Sequence, residues 1–529
     1  MRSLKLFLVS LVVALLANGL FVETVAASET CYSVGSGNWN DAATWNCGIV
    51  PGANDAVYVE SGHTVTLTQN ASVGDLHLNS TTGSRLALGT FSLSIYGKMR
   101  AFTGAAPGTS TATTSSSSTW INSSSGGHLR IVGNTRTVFN AGEWGANPPG
   151  WTLVVAMNTG QTALAQTNVK AGSITIESGT FEITAELRPD AGTNSGELII
   201  NSGATLVTSG RLSRTGTANV PFGLFTSDGT FRTSSGSPNV WPDDTPVVFS
   251  ADSTVEYNSA NSQTIQTPLG SSYGNLLLGG SNTKIAPSLL QIRGDFTNHA
   301  TFDAATNSNT TEFTGSDIQE INGSQAIAFY DVTVNLGASV IIPVNATAAS
   351  LTNNGRIIQT RNIASAGPVT FLGLGNYGGV TIDPAVAMGN TKVEIRGNQD
   401  CTTDDSSQPV RRCFDIDPTT PQTATIRFHY AAGEANGNAE DAVNAYRWTG
   451  SAWQPAGGTP SHSSGANPRW IEVPDVTNYS PFVLDDQTPT AVTLQSLTAT
   501  AATPLWVVLL ITVTALAAAA TLIRRRRLA

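Results

Sequence analysis

The chain has 529 residues, and only 12% of them are charged, against roughly a quarter in ordinary soluble domains. Ser, Thr, Asn and Gly replace the charged residues, but a hydrophobic content of 40% excludes a disordered polar tract. The net charge of −10 is spread without acidic blocks, and the only dense basic cluster is Arg524–Arg527, so the composition argues against nucleic-acid binding.

The N-terminus has the three parts of a secretory signal peptide. Arg2 and Lys5 supply the charge, Leu6–Leu16 the apolar run, and Val25-Ala26-Ala27 a small-residue cleavage site. We therefore expect residues 1–27 to be a signal peptide. An uncleaved anchor helix is the alternative, which the short apolar run and the well-placed cleavage site disfavour.

The first folded segment, residues 28–104, has the pattern of short half-buried strands. Apolar residues alternate at period two between turn residues, in the pairs Val57/Val59, Val65/Leu67 and Leu76/Leu78. Around them lie Trp39 and Trp45, the turn Val50-Pro51-Gly52 and the run Gly62–Leu67. In the order of these elements the segment resembles the start of the eight-glycine domain family and related N-terminal caps of bacterial β-helix surface proteins. The resemblance implies an all-β extracellular module, sometimes linked to glycan binding, and it brings no catalytic residue.

Residues 105–390 are repetitive. Ile174–Gly179 recurs as Leu198–Gly203, a shift of 24 residues. A longer unit repeats with a shift of 56, which relates Tyr257, Gln263, Ile265, Tyr273, Leu276, Leu278 and Pro287 to Phe313, Gln319, Ile321, Phe329, Val332, Val334 and Pro343. Short repeated strands with Asn, Ser and Gly at the corners predict a parallel β-solenoid, similar to a right-handed β-helix. Tandem β-sandwiches are the alternative, for which a 24-residue spacing is too short.

A different unit is expected over residues 391–487, followed by a Thr-rich linker at 488–503. Strand-like alternation and regularly spaced aromatic residues predict a small juxtamembrane β-sandwich there. The segments that carry this pattern are Cys413–Pro418, Ala424–Tyr430, Ala445–Trp448 and Tyr479–Leu484.

The C-terminal segment predicts one transmembrane helix at residues 504–523, followed by a cytoplasmic Arg-rich tail at 524–529. Leu505–Ile523 carries no charge and, at ~1.5 Å per residue, is long enough to cross a bilayer. Positive charge stays on the cytoplasmic side, so the bulk of the chain is expected outside the cell. A buried core helix is the alternative. The segment is similar to protein-sorting tails but lacks Leu-Pro-x-Thr-Gly and Pro-Glu-Pro, which puts processing by a sortase or exosortase in doubt.

The four cysteines form two close pairs in the sequence, Cys31 with Cys47 and Cys401 with Cys413. Four cysteines allow three connectivities, and two local disulfides are the simplest of them in an oxidising compartment. Metal binding is the weaker interpretation, because no Cys-x-x-Cys motif or histidine cluster accompanies them. No cofactor is expected.

Two motifs suggest chemistry but lack its structural context. Gly270–Gly274 fits Gly-x-Ser-x-Gly around Ser272, yet a strand pattern follows where a nucleophile elbow needs a helix. Gly373–Gly378 fits Gly-x-Gly-x-x-Gly, with Glu394 about twenty residues on, but the following Gly379–Pro384 is β-branched rather than helical.

Two further groups of residues suggest binding. Five aspartates surround the second cysteine pair and suggest Ca²⁺, although no twelve-residue loop pattern is present and solvated acids are the simpler interpretation: Asp400, Asp404, Asp405, Asp415 and Asp417. Several tryptophans suggest stacking on sugars, with core packing as the alternative: Trp39, Trp45, Trp448, Trp453 and Trp470.

The sequence therefore predicts an all-β, membrane-anchored cell-surface protein with a structural or adhesive role and no catalytic residue. Its expected partners are the membrane and, as a candidate ligand, a cell-surface or environmental polysaccharide. The alternative is a β-helix polysaccharide lyase or hydrolase, which would need paired carboxylates, or an acid with Arg or Lys, in a groove on the solenoid.

Overall fold

Among the residues that the structure describes, strands make up nearly all the regular structure, with almost no helix. The computed structural model describes residues 28–79, 84–103, 111–112, 121, 126–133, 137–140, 150–191, 196–213, 220–236, 240–399, 401, 408–479 and 481–489. The expected signal peptide (1–27) and transmembrane helix (504–523) lie outside these residues. Within them, no helix is both long and apolar enough to cross a membrane.

The chain divides into two compact units. The first runs to Thr333 and also contains Ala338–Ile341 and Asn345–Ala348; the second contains Val334–Gly337, Ile342–Val344 and the residues from Ala349 onward.

Two short 3-10 helices lie at Ala42–Thr44 and Ala432–Glu434. The strands as far as β35 are β1 (Thr30–Tyr32), β2 (Gly37–Asn38), β3 (Ala56–Val59), β4 (Thr64–Thr66), β5 (Ala71–Val73), β6 (Asp75–Asn79), β7 (Arg85–Ala87), β8 (Ser92–Ile95), β9 (Met99–Thr103), β10 (Thr111–Ala112), β11 (His128–Gly133), β12 (Thr137–Asn140), β13 (Thr152–Met157), β14 (Thr162–Ala165), β15 (Val169–Ala171), β16 (Ser173–Ser178), β17 (Thr180–Ile183), β18 (Leu187–Pro189), β19 (Glu197–Ile200), β20 (Thr205–Thr208), β21 (Leu224–Ser227), β22 (Thr230–Thr233), β23 (Val247–Phe249), β24 (Thr254–Tyr257), β25 (Gln263–Thr264), β26 (Asn275–Leu278), β27 (Thr283–Ile285), β28 (Leu289–Ile292), β29 (Phe296–Asn298), β30 (Thr301–Asp303), β31 (Thr310–Phe313), β32 (Ile318–Asn322), β33 (Ile327–Val334), β34 (Ser339–Ile341) and β35 (Ala346–Asn353).

The first unit is a parallel β-solenoid, and the solenoid has about 12 turns. One face is an eight-stranded sheet in the order β5-β8-β11-β13-β16-β19-β21-β23. In this sheet Ile174 pairs with Leu198 and Ile176 with Ile200. The 24-residue repeat read from the sequence is therefore one turn of the solenoid, which confirms the predicted stacking and excludes tandem sandwiches for these turns.

The core consists of apolar columns that continue from turn to turn. On a second face, six side chains that are at most 1% exposed follow one another in register: Phe181, Leu206, Phe231, Val255, Leu276 and Phe296. Because side chains alternate along a strand, the neighbouring positions point outward. One outward column is Thr162, Thr180, Thr205, Thr230 and Thr254, all half-buried. On these strands the alternation thus separates a buried apolar column from a half-buried column of threonines.

The 56-residue repeat preserves local hydrogen bonds rather than position in a sheet. Gln263 and Gln319 are both buried, and each accepts a hydrogen bond from the backbone N–H four residues earlier, at 2.8 and 2.9 Å. Each also donates to two backbone carbonyls 25 to 30 residues earlier. Yet β25, which begins at Gln263, pairs with β27, whereas β32, which holds Gln319, pairs with β29 and β34. The same buried-glutamine motif therefore links neighbouring turns by hydrogen bonds on different faces of the solenoid.

The N-terminal edge of the solenoid is covered by the chain itself. Strand β1 pairs with β3 on one side. On its other side the backbone N–H of Asn46 donates to the carbonyl of Tyr32, and that of Val34 donates to the carbonyl of Thr44, at 2.9 Å each. Trp39 and Trp45 are buried beneath this segment, so their rings are not accessible to a sugar. The covered edge leaves fewer unpaired backbone groups for aggregation.

The second unit contains two antiparallel sheets. Its remaining strands are β36 (Arg356–Ile363), β37 (Val369–Phe371), β38 (Val380–Pro384), β39 (Gly389–Gly397), β40 (Arg412–Pro418), β41 (Ala424–Tyr430), β42 (Asn444–Trp448), β43 (Trp453–Pro455), β44 (Ser461–His462), β45 (Arg469–Val476) and β46 (Phe482–Asp485). One sheet has the order β36-β39-β40-β46-β42-β43, and the other has the order β37-β38-β41-β45-β44. Phe428 of the second sheet packs against Phe414 and Phe482 of the first, with ring centroids 5.0 and 5.4 Å apart.

Candidate functional site

The candidate site is a cavity of about 340 Å³ in the second unit. Its volume lies in the range of small-molecule sites, ~300–1,000 Å³. Strand ends and loops supply its lining: the end of β35, the loop between β37 and β38, the turn after β39, the start of β40 and the 3-10 helix after β41. The side chains that give it its chemistry are Asn354, Asn376, Tyr377, Asn398, Arg412 and Glu434.

A buried ion pair lies in the wall of the cavity. Nη2 of Arg412 lies 2.6 Å from Oε2 of Glu434, and the two side chains are 1% and 10% exposed. Nη1 of Arg412 donates to the carbonyls of Tyr377 and His429 at 2.9 Å each, and the guanidinium carbon lies 3.7 Å from the centre of the Tyr377 ring. The backbone N–H of Ala431 donates to Oε2 of Glu434 at 2.7 Å. Both charges are therefore held in fixed positions by several contacts.

The ion pair has unused hydrogen-bonding capacity. Nε of Arg412 has no hydrogen-bond partner among the described residues, although the residue is 1% exposed. A buried donor without a partner costs about 1–3 kcal/mol, more when charged. Oε1 of Glu434 likewise has no partner in the described part of the chain. Glu434 can therefore accept a further hydrogen bond through Oε1 without breaking its existing contacts.

Three asparagine side chains surround the opening. Oδ1 of Asn376 accepts from the backbone N–H of Leu351 at 3.1 Å, and Nδ2 of Asn398 donates to Oδ1 of Asn354 at 3.0 Å. Asn398 has φ 51°, a left-handed conformation that asparagine tolerates well. The amide nitrogens of Asn354 and Asn376 have no partner among the residues described, so two oriented donors remain available.

The aromatic and imidazole groups near the ion pair do not titrate near neutral pH. Burial raises the pKa of Tyr377 to about 12, although Arg412 opposes the change, and Nδ2 of Asn353 donates to its hydroxyl at 3.0 Å. Burial lowers the pKa of His429 to about 4. Tyr377 is therefore a neutral phenol and His429 a neutral imidazole at pH 7, which suits binding rather than proton transfer.

Both predicted disulfides are present in the structure. Cys31 and Cys47 have Cα atoms 5.2 Å apart, and Cys401 and Cys413 have Cα atoms 5.4 Å apart. All four cysteines are thus paired. The second disulfide packs in a buried cluster with Tyr446, Trp453 and Val483. Trp448 packs against the same cluster and is half-buried, as is Trp470, which lies under the guanidinium of Arg427.

The Gly-x-Ser-x-Gly motif lies in a turn of the solenoid. Ser272 is followed by strand β26 rather than by a helix. It makes no side-chain hydrogen bond with a histidine or a carboxylate in the described ranges. Its neighbour Tyr273 is buried, with its hydroxyl 2.9 Å from that of Tyr257. The motif is therefore a turn that contains one member of a buried tyrosine pair.

The Gly-x-Gly-x-x-Gly segment contributes to the cavity, although not as a phosphate loop. It leads into strand β38, with Gly378 at φ 76° and Gly379 at φ 63°, and it places Asn376 and Tyr377 in the cavity wall. Glu394 instead pairs with Arg356 at 2.9 Å and Lys392 at 3.3 Å. The strand that follows the loop agrees with the sequence argument against a dinucleotide site, whereas no sequence pattern identified Arg412 and Glu434.

The aspartates around the second disulfide are only partly described. Asp415 and Asp417 lie on β40 opposite Glu394 and Lys392 of β39, and burial together with the charge of Glu394 raises the pKa of Asp415. Asp400, Asp404 and Asp405 lie outside the described residues. Within the described ranges, no group of three or more His, Cys, Asp or Glu side chains could hold a metal ion. Glu394 and Asp415 are adjacent carboxylates, but neither lines the cavity.

Comparison of the chain with models of protein families, with curated proteins and with solved structures found no match.

Proposed function

We propose that the chain is an exported surface protein with a structural or adhesive role, held in the membrane by residues 504–523. The observation that carries this proposal is the pairing of all four cysteines in two disulfides. Disulfides form and persist in oxidising compartments and are rare in the cytosol. They support export of both units, because one disulfide lies near residue 31 and the other near residue 413.

The surface of the solenoid supports a structural role. Parallel turns bury one continuous core, and the outward column of five threonines from Thr162 to Thr254 presents hydroxyl groups rather than charges. Each turn is stabilised mainly by its two neighbours, so a stack of turns can be long without a second core. Such a surface is compatible with water and with polysaccharide hydroxyl groups alike.

For the finer organisation we keep the domains predicted from the sequence. Residues 28–104 act as the N-terminal cap of the solenoid, in line with the segment that covers the edge of β1. The packing of two antiparallel sheets through Phe428 supports the small β-sandwich that we expect next to the membrane. The Thr-rich linker, the apolar helix and the Arg-rich tail complete a single-pass topology with the ectodomain outside.

Protease treatment of intact cells tests this topology. One epitope tag is placed directly after residue 27 and a second after Ala529. On intact cells we expect protease to remove the N-terminal tag and to leave the C-terminal tag attached to a short membrane fragment. After lysis both tags should be lost. Survival of the N-terminal tag on intact cells, with loss only after lysis, would show that the orientation is wrong.

A further inference from the structure

We propose that the cavity of the second unit binds one uncharged sugar unit of a polysaccharide through Glu434, which Arg412 holds in place, and through the asparagines at its opening. The inference deepens the proposed function and rests on it, because export is what would bring the cavity into contact with polysaccharide outside the cell. It identifies both the ligand class and the unit that binds it.

The charge of the lining favours an uncharged ligand. Among the described residues that line the cavity, Arg412 and Glu434 are the only charged ones, and they neutralise each other at 2.6 Å. A phosphate or carboxylate ligand would have to approach Glu434, whose carboxylate repels it at short range. A cationic ligand would meet the same difficulty at Arg412. A neutral, hydroxyl-bearing ligand avoids both repulsions.

The free hydrogen-bonding groups match those of a sugar. A sugar hydroxyl donates one hydrogen bond and accepts others, so it needs donors and acceptors side by side. The lining offers donors at the amide nitrogens of Asn354 and Asn376, and an acceptor at Oε1 of Glu434. The carboxylate of Glu434 is charged and mostly buried, and hydrogen bonds to charged groups contribute about 1.5–3 kcal/mol, more than neutral ones.

The groups are positioned before any ligand arrives. The guanidinium is fixed by two carbonyls, by Glu434 and by the Tyr377 ring, and Asn376 is fixed through its contact with Leu351. A ligand therefore does not have to order these side chains, which lowers the entropic cost of binding. A cluster of unrelated surface amides would lack this support.

A binding assay on the full chain tests the inference. The protein is purified in a detergent without a sugar head group, so that the detergent does not compete for the site. Neutral oligosaccharides of glucose, mannose, xylose and N-acetylglucosamine are the probes, with oligogalacturonate and inorganic phosphate as charged comparisons. Saturation-transfer NMR detects binding and calorimetry measures Kd. We expect at least one neutral oligosaccharide to bind and neither anion to compete with it.

Substitutions at the opening locate the binding. Asn398→Gly removes the amide that donates to Asn354 and orients it, while keeping the left-handed backbone, and Asn376→Asp keeps the acceptor for Leu351 while removing the free donor. Each should weaken binding about three- to tenfold, the effect of losing one hydrogen bond. Asn478→Ala, an exposed asparagine of the same unit outside the cavity, is the matched control and should leave Kd unchanged.

The outcomes separate this inference from the proposed function. If no neutral oligosaccharide binds, if phosphate or oligogalacturonate binds more tightly, or if the cavity variants bind as well as the Asn478→Ala control, the sugar site is wrong. The protease result on intact cells is unaffected by any of these findings. Conversely, a protected N-terminal tag would refute export while leaving the binding data as they stand.

Discussion

Shortening one core side chain of the solenoid tests the stacking of its turns. Ile200 is fully buried, pairs in register with Ile176 and Ser227, and its Cγ2 would lie 3.0 Å from a Cβ placed on Gly229. Ile200→Ala removes three carbon atoms, a transfer loss of ~2.4 kcal/mol at ~0.8 kcal/mol for each carbon. The tight packing on Gly229 limits how far the neighbouring atoms can fill the space left by the substitution. We therefore expect the free energy of unfolding to fall by about 3–4 kcal/mol in total.

The neighbouring residue supplies the matched control. Ile199 lies on the same strand, points outward and is half-buried, so Ile199→Ala should cost less than about 1 kcal/mol. Hydrogen exchange is the appropriate measurement, because each turn is stabilised by its neighbours and the loss is local. Amides of β16, β19 and β21 should exchange faster in Ile200→Ala than in Ile199→Ala. Equal exchange in the two variants would refute the stacked-turn geometry.

Three further variants test other contacts. His77 stacks on Tyr58 with ring centroids 4.2 Å apart, and burial lowers its pKa to about 4. The stability that its neutral form contributes is therefore complete above pH ~6.5 and is lost as the pH falls toward 4. Between pH 7 and pH 4.5 the Tm of the His77→Phe variant should therefore fall less than the Tm of the unmodified chain. An identical dependence of Tm on pH in the two proteins would contradict this. Burial raises the pKa of Asp415, so its contribution to stability is present below the pKa of an unfolded aspartate and is lost as the pH rises through the folded value. Asp415→Asn should consequently change Tm more favourably at pH 7 than at pH 3, each measured against the unmodified chain, and a less favourable change at pH 7 would contradict this. Replacing both Cys401 and Cys413 by Ser opens a loop with a sequence separation of 12 and should cost about 3 kcal/mol in denaturant unfolding of the second unit, whereas an unchanged midpoint would show that the disulfide adds nothing.

The solenoid could be predicted from the sequence because its pattern is local and repeated. The pair Ile174/Ile176 and its copy Leu198/Ile200 show both the period of two within a strand and the spacing between turns. The 56-residue repeat predicts a local motif but not the face on which it lies. Gln263 and Gln319 share a hydrogen-bonding motif that depends only on nearby backbone, whereas the face on which each lies depends on the lengths of all the intervening corners.

The cavity could not be predicted in the same way. Arg412 and Glu434 are 22 residues apart and meet only because β40 and β41 bring their ends together, and a buried arginine has no signature in composition or periodicity. The loop that holds Asn376 carried a glycine pattern shared with phosphate-binding turns. Whether such a loop binds phosphate depends on a helix that follows it, and here a strand follows.

The unequal lengths of the solenoid turns have a practical consequence for engineering. The interval is 24 residues from Ile174 to Leu198, 27 from Leu198 to Phe225 and 20 from Leu276 to Phe296, yet the strands remain in register. Corner length is thus independent of strand pairing. Foreign peptides should be accepted at a corner such as Gly203, which has φ 76° and open space within 4 Å of the position that a Cβ would occupy, and they would be displayed at intervals set by the turns.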